Sequence, residues 1–150
     1  MAVATVARKS VDLAAWPELT VVYLGFSVKA WTGLPQLLKV GRGIASLLRD
    51  KPDGLLAHQS VKYGVLHVGM RQYWRDLESL EKFTRTEPHS RWWAEFSGRD
   101  RGVGFWHETY RLKGGMEAIY VGMPGPTGFG LFAPERDPAG ALLTARSRLG

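Results

Sequence analysis

Apolar and polar positions along the chain fall into segments of distinct period. Leu19 to Val28 is a nearly unbroken β-branched and aromatic run that reads as a buried strand, and Trp31-Thr32-Gly33 breaks it. Pro35 suits the first turn of a helix, where its missing N–H is not needed. Leu37, Val40, Gly41, Ile44 and Leu48 then follow at helical spacing, and Lys51-Pro52-Asp53-Gly54 stops the helix. Gly41 and Gly43 each cost about 1 kcal/mol against Ala there, so a close backbone approach to a sheet or a ligand is expected. Leu55–Val61 and Val65–Trp74 are strand-like and flank Lys62-Tyr63-Gly64, which predicts a hairpin with a short loop. Asp76 is placed to cap a helix carrying Glu78 in its first turn and Leu77, Leu80 and Phe83 as its apolar stripe. Pro88 restarts or kinks that helix. His89, Trp92, Trp93 and Phe96 then share one helical face, with Gly98 as the C-terminal cap. Val103–Leu112 is the next strand, Lys113-Gly114-Gly115 a turn, and Met116–Met123 a further short strand. Glycines and prolines from Pro124 to Pro134 prevent regular structure. A short helical pattern near Ala139–Arg148 lies in a tail expected to be mobile.

The order strand, helix, strand, strand, helix, strand is the βαββαβ ferredoxin-like pattern, of α+β class, with one strand appended. The predicted organisation is a leader over 1–17, one domain over 18–133 and a C-terminal tail over 134–150. A chain of 150 residues is enough for a single core. The absence of cysteine excludes disulfides, thiolate metal sites and a cysteine nucleophile. The histidines show no zinc spacing, so no metal site is expected. The net charge of +6 comes from scattered Lys and Arg, with no run longer than Arg8-Lys9. That pattern predicts a solvated basic surface and no nucleic-acid partner. No uncharged apolar run approaches the roughly 18 residues of a membrane span. The N-terminal segment contains Asp12 and no continuous apolar stretch, so the expected location is the cytoplasm.

Within this order one set of strings stands out. It comprises Gln72-Tyr73-Trp74-Arg75-Asp76 with Leu80 and Phe83, His89 with Trp93, and Gly104-Phe105-Trp106-His107-Glu108-Thr109-Tyr110. Glu117-Ala118-Ile119-Tyr120 and Met123-Pro124 complete it. Over residues 18–133 the chain resembles the fumagillin-pathway type of monooxygenase-like proteins. That group is similar to the antibiotic biosynthesis monooxygenases of the dimeric α+β barrel superfamily. The resemblance implies a four-stranded antiparallel sheet with two helices on one face, a homodimer with sheets packed face to face, and a pocket between each sheet and its helices. It further implies oxidation of polycyclic aromatic natural-product intermediates by O2 without metal, flavin or haem. Other superfamily branches bind haem in the same place or isomerise rings without oxygen.

Alternation along the second hairpin strand puts Leu66, Val68, Met70, Gln72 and Trp74 on one face and His67, Arg71 and Tyr73 on the other. The resemblance turns Trp74 toward the pocket and implies a polar amide four residues earlier. Met70 stands there instead, with Gln72 as a substitute. If that face meets the helices, His67, Arg71 and Tyr73 meet a partner sheet. In the later strand Trp106, Glu108 and Tyr110 share one face, and Phe105, His107 and Thr109 the other. The pattern does not say which of the two meets the pocket.

His107 or Glu108 could take a proton from a phenol or an activated carbon, and Tyr110 could hold an enolate oxygen. The expected substrate contacts are Gln72, Trp74, His89, Trp93 and Trp106. The leading expectation is a cofactor-independent enzyme acting on an apolar aromatic or terpenoid molecule. Set against it are a haem enzyme with His89 or His107 as iron ligand, a non-oxidative isomerase or cyclase, and a non-catalytic ligand-binding protein. A lone histidine on an aromatic helix face is more often core than ligand, and the aromatic stripe itself is core first.

Overall fold

The computed structural model describes residues 10, 12–86, 89–126, 135–138 and 140–149. The elements are β1 (Thr20–Val28), α1 (Gly33–Arg49), β2 (Leu55–Gly64), β3 (His67–Trp74), α2 (Leu77–Arg85), α3 (His89–Gly98), β4 (Val103–Arg111) and β5 (Met116–Val121). A 3-10 turn at Gly140–Leu142 leads to α4 (Ala145–Leu149). All neighbouring strands are antiparallel, in the order β2-β3-β1-β4-β5. The first four strands keep the ferredoxin-like order. The sheet has five strands, not four, because the β4–β5 hairpin pairs Phe105 with Val121 through Tyr110 with Met116 and adds an edge.

The strand most apolar in sequence, β1, is central, and the period of two divides the sheet. Val22, Leu24 and Phe26 face the helices, in register with Gln72, Met70 and Val68 on β3 and with Thr109, His107 and Phe105 on β4. Helix α2 starts where Asp76 Oδ1 accepts from the Ser79 N–H at 2.7 Å, the predicted cap. Its stripe buries Leu77 and Leu80 against Trp74, Val22 and Leu55. A second cluster joins Phe26, Val40 and Val103 beneath α1, with Leu24 packed against both clusters. Among the described residues no helix is long and apolar enough to cross a membrane.

The hairpin departs from expectation. Tyr63 belongs to β2, and the turn falls at Val65-Leu66, whose side chains are exposed. Tyr63 is held in the strand by ring contacts to His67 and Trp106, 4.8 and 5.2 Å between centroids. Local turn chemistry points to Lys62-Tyr63-Gly64, and tertiary packing overrides it. Of the two helical glycines, Gly43 meets a neighbour: a Cβ there would lie 2.3 Å from the Trp92 ring of α3. Gly41 faces open space, so no close approach of the sheet occurs there. Pro88 lies outside the described residues, as do Gly128, Gly130 and Pro134. The tail expected to be mobile is tied down over residues 140–149. Arg146 makes a fork to Glu81 with both bonds at 2.9 Å, and Leu149 packs against the Trp74 cluster.

Candidate functional site

Between the helical face of the sheet and α1, α2 and α3 lies a cavity of about 570 Å³, closed at one side by Leu143, Thr144, Ala145 and Arg148. Its wall is mainly apolar, with Val22, Leu24, Phe26, Trp92, Trp93 and Phe105 prominent. Polar residues also line it: Gln72, His107, Thr109 and Arg148, with Glu81, Thr84, Arg85, His89, Ser90 and Thr144 along the helical side. An adjoining groove of about 530 Å³ between α1 and the β2–β3 edge shares Phe26, Val40, Ile44, Leu48 and Met70 with the cavity.

The polar wall is organised by Glu117. β5 places it opposite Thr109, one strand away from His107 and on the helical face. Its side chain is fully buried. Oε1 accepts from the Thr109 hydroxyl at 2.6 Å and pairs with His107 Nε2 at 2.8 Å. Oε2 accepts from Arg148 Nε at 3.0 Å and Nη2 at 2.9 Å. Burial alone would raise the carboxyl. Hydrogen bonds from His107 and the Thr109 hydroxyl, together with the Arg148 guanidinium, outweigh it and hold Glu117 down to about 2. An ionised carboxylate only accepts, so His107 donates from Nε2.

His89 is fixed in the same way from the helical side. Its Nδ1 lies 3.1 Å from the Thr84 carbonyl oxygen, which can only accept, so Nδ1 carries the hydrogen and Nε2 the lone pair. Burial lowers the His89 pKa against the opposing pull of that carbonyl bond, so the ring is neutral at neutral pH.

Trp74 lies behind the cavity wall. It is fully buried against Phe83 and donates from Nε1 to Gln72 Oε1 at 3.1 Å, while Gln72 Nε2 donates to the Met70 sulfur at 3.2 Å. Gln72 thus spans the gap that Met70 leaves in the polar pattern.

Trp106, Glu108 and Tyr110 lie on the sheet face away from the helices. There the buried Glu108 carboxylate accepts from the hydroxyls of Tyr110, at 2.6 Å, and Tyr120. Burial, then the Glu108 bond, pushes the Tyr110 phenol up. Trp106 Nε1 donates to His67 Nε2 at 2.7 Å, and Arg71 donates to Tyr23 at 2.9 Å and to Gln59. Gly25 makes room for this layer, and Gly69 for the β1 backbone. A Cβ on Gly25 would sit 2.4 Å from the Trp106 indole nitrogen, and one on Gly69 1.9 Å from the Leu24 carbonyl oxygen. The chemistry-bearing residues of β4 are therefore split, with His107 in the cavity and Glu108 and Tyr110 behind the sheet.

The family model for monooxygenase af470-like proteins matches residues 19–129, most of the chain and all five strands. The chain belongs to this monooxygenase af470-like family. It is 34% identical over 82 residues to the monooxygenase af470 of Aspergillus fumigatus, covering 50% of this chain and 30% of that protein. It is 27% identical over 96 residues to the aliphatic aldoxime dehydratase of Rhodococcus globerulus, covering 61% of this chain and 27% of that enzyme. The chain thus spans less than a third of the curated relatives' length. In fold it is similar to an aldoxime dehydratase solved in complex with butyraldoxime. The TM-score is 0.52 at 22% identity, over 75% of this chain and 33% of that one. It is also similar to a conserved protein of unknown function from Bacteroides thetaiotaomicron described as a possible oxidoreductase. There the TM-score is 0.50 at 10% identity, over 63% of this chain and 98% of that one.

Of the residues singled out in the sequence, Gln72, His89, Trp93 and His107 line the cavity of this family member, and Trp74, Trp106, Glu108 and Tyr110 do not. Phe96, the last member of the aromatic stripe, lies outside the described side chains. Sequence reasoning gives no role to Glu117, Thr109 or Arg148, although the first two stand in the strings singled out above. Thr109 and Glu117 could have been found together, because the Lys113-Gly114-Gly115 turn fixes a register that sets one opposite the other. Arg148 carries no local signal.

Glu117 is depressed from an ordinary 4.5 to about 2, so its contribution to stability is present above about pH 4.5 and is lost as pH falls toward 2. The expected loss across that window is on the order of 3 kcal/mol, of which about 2 kcal/mol falls between pH 6 and pH 3. Urea unfolding of the wild type and of Glu117→Gln at pH 6 and pH 3 measures it. A wild type no more acid-sensitive than the variant would mean that Glu117 is not an ionised, buried group.

Proposed function

We propose that the protein is an enzyme of monooxygenase-like chemistry that binds an apolar aromatic or terpenoid molecule in the cavity and takes a proton from it with His107. The observation that carries this reading is the His107–Glu117 pair in an apolar wall. Glu117 fixes the Nε2–H tautomer and offsets the charge that forms when Nδ1 accepts a proton. The aromatic walls exclude water and orient a flat substrate. With O2 as co-substrate, an activated CH2 loses its two hydrogens and gains one oxygen atom as C=O. The second oxygen atom leaves as water, so the substrate supplies all the electrons. Returned to another carbon, the same proton gives an isomerisation without oxygen. The relatives' names, a monooxygenase and a dehydratase, span oxidative and non-oxidative chemistry.

His89 favours a second reading, haem in the same cavity. A neutral imidazole with Nδ1–H on a backbone carbonyl and a free Nε2 lone pair suits an iron ligand, and the mainly apolar wall suits a macrocycle. His89 would hold the iron, and haem when bound would supply a metal centre that polarises a substrate heteroatom. His107 would then face the substrate as a proton donor or acceptor.

We further propose that a second copy of the chain covers the far sheet face. All five tyrosines (Tyr23, Tyr63, Tyr73, Tyr110 and Tyr120) stand there with Trp106, a density of aromatic rings typical of an interface. Arg71 Nε is buried there without a hydrogen-bond partner among the described residues.

Three measurements test these assignments. Deuterium exchange into anthrone or an apolar 1,3-diketone in D2O should fall about 10²-fold in His107→Ala. An unchanged rate removes His107 as the base. Titration with haemin should give a Soret band that His89→Ala loses, and a wild type that binds no haemin rejects the haem reading. Sedimentation should give the mass of two copies, reduced to one by Arg71→Glu with Tyr73→Glu. A wild type sedimenting as one copy at micromolar concentration would sink the dimer.

A further inference from the structure

The cavity is completed by a part of the chain that the family match does not include. That match ends at residue 129, whereas Leu143, Thr144, Ala145 and Arg148 form one wall. The segment is held at both ends. Arg146 is forked onto Glu81 of α2, and Arg148 reaches Glu117 while its Nη1 donates to the Leu142 and Leu143 carbonyls at 3.0 Å. Arg148 is itself nearly buried, with 9% of its side chain exposed.

This placement matters because of the charge balance around Glu117. A buried carboxylate needs one positive charge nearby, and leaving it uncompensated is costly. Two groups paired with it can be cationic, Arg148 and His107. Thr109 donates a hydrogen bond but no charge. His89, which faces the same cavity from α3, is neutral and bonded to Thr84. Arg85 is paired with Glu81 at 3.6 Å. With Arg148 in place the carboxylate is already balanced, and His107 can remain neutral and accept a proton. Without it, His107 is the group left to supply the charge, and a histidine already protonated is no base.

We infer that Arg148 is the positioning residue of the site: by neutralising Glu117 it leaves His107 uncharged, so that the C-terminal segment makes the dyad competent as well as closing the cavity. Arg148 acts through Glu117 and does not touch the reacting atoms. The inference rests on the reading of His107 as the base, but its physical content is a protonation state that can be observed without any substrate.

The test is nitrogen NMR of the full-length protein labelled in its histidine rings, at neutral pH. In the wild type, His107 should show hydrogen on Nε2 alone. Arg148→Gln should lose that signature and show hydrogen on both ring nitrogens. Arg148→Lys, which keeps the charge, should restore it. Arg146→Gln, which loosens the segment and leaves the Glu117 pair, should match the wild type. A folded Arg148→Gln with His107 still singly protonated overturns the inference. Should that variant not fold, Arg148→Lys decides: hydrogen on both nitrogens there means that the guanidinium charge is not what keeps His107 neutral. The two assignments also separate. If the signatures behave as expected but His107→Ala leaves deuterium exchange intact, the charge balance stands and the role of His107 as base falls.

Discussion

The buried Glu117 carboxylate is the constraint on which the site depends. Taking an ion out of water costs several kcal/mol unless hydrogen bonds and opposite charge replace the solvent. Here the replacements come from two separate parts of the chain: Thr109 and His107 on β4, and Arg148 thirty-one residues beyond Glu117. Each is held in turn by something else, the strand residues by antiparallel register and Arg148 by two backbone carbonyls. The edge hairpin, the central sheet and the terminal helix are thereby coupled at one point. That point borders the apolar cavity.

The sheet's two faces carry different chemistry because strand residues alternate. The helical face holds neutral or compensated groups set among apolar side chains. The far face holds a phenol-rich layer in which Glu108, Tyr110 and Tyr120 satisfy one another. Glycine at position 25 lets the indole of Trp106 and the imidazole of His67 approach the central strand, and glycine at position 69 lets β3 approach the Leu24 carbonyl. The His-Glu-Thr-Tyr string of β4 therefore serves two environments 180° apart. Adjacency in sequence separates His107 from Glu108 more completely than a long loop would.

Much of the fold was legible. Periods of two and 3.6 residues, the Asp76 cap and the glycine-containing turn before β5 gave every strand and the principal helices close to their observed bounds. The misreadings have local causes. Lys62-Tyr63-Gly64 carries turn residues, but the aromatic contacts of Tyr63 are worth more than its turn propensity. The appended strand was visible in Met116–Met123, yet the expected four-stranded sheet left it out. In the site, alternation paired the right residues but could not tell inside from outside. That depends on which face the helices cover, a property of the whole chain. His89 and His107 were recoverable because imidazoles among aromatics are conspicuous. Arg148 was not, because one arginine in a Gly- and Ala-containing tail looks like any solvated charge until the fold brings it to Glu117.

The cavity and the groove beside it share a wall: Phe26, Val40, Ile44, Leu48 and Met70 line both. Met70 has three rotatable bonds and a deformable thioether, so a change of its rotamer alters both spaces at once. Exchange of one or two residues of this septum would therefore join or divide the two spaces, with the strands and the Glu117 cluster left where they are.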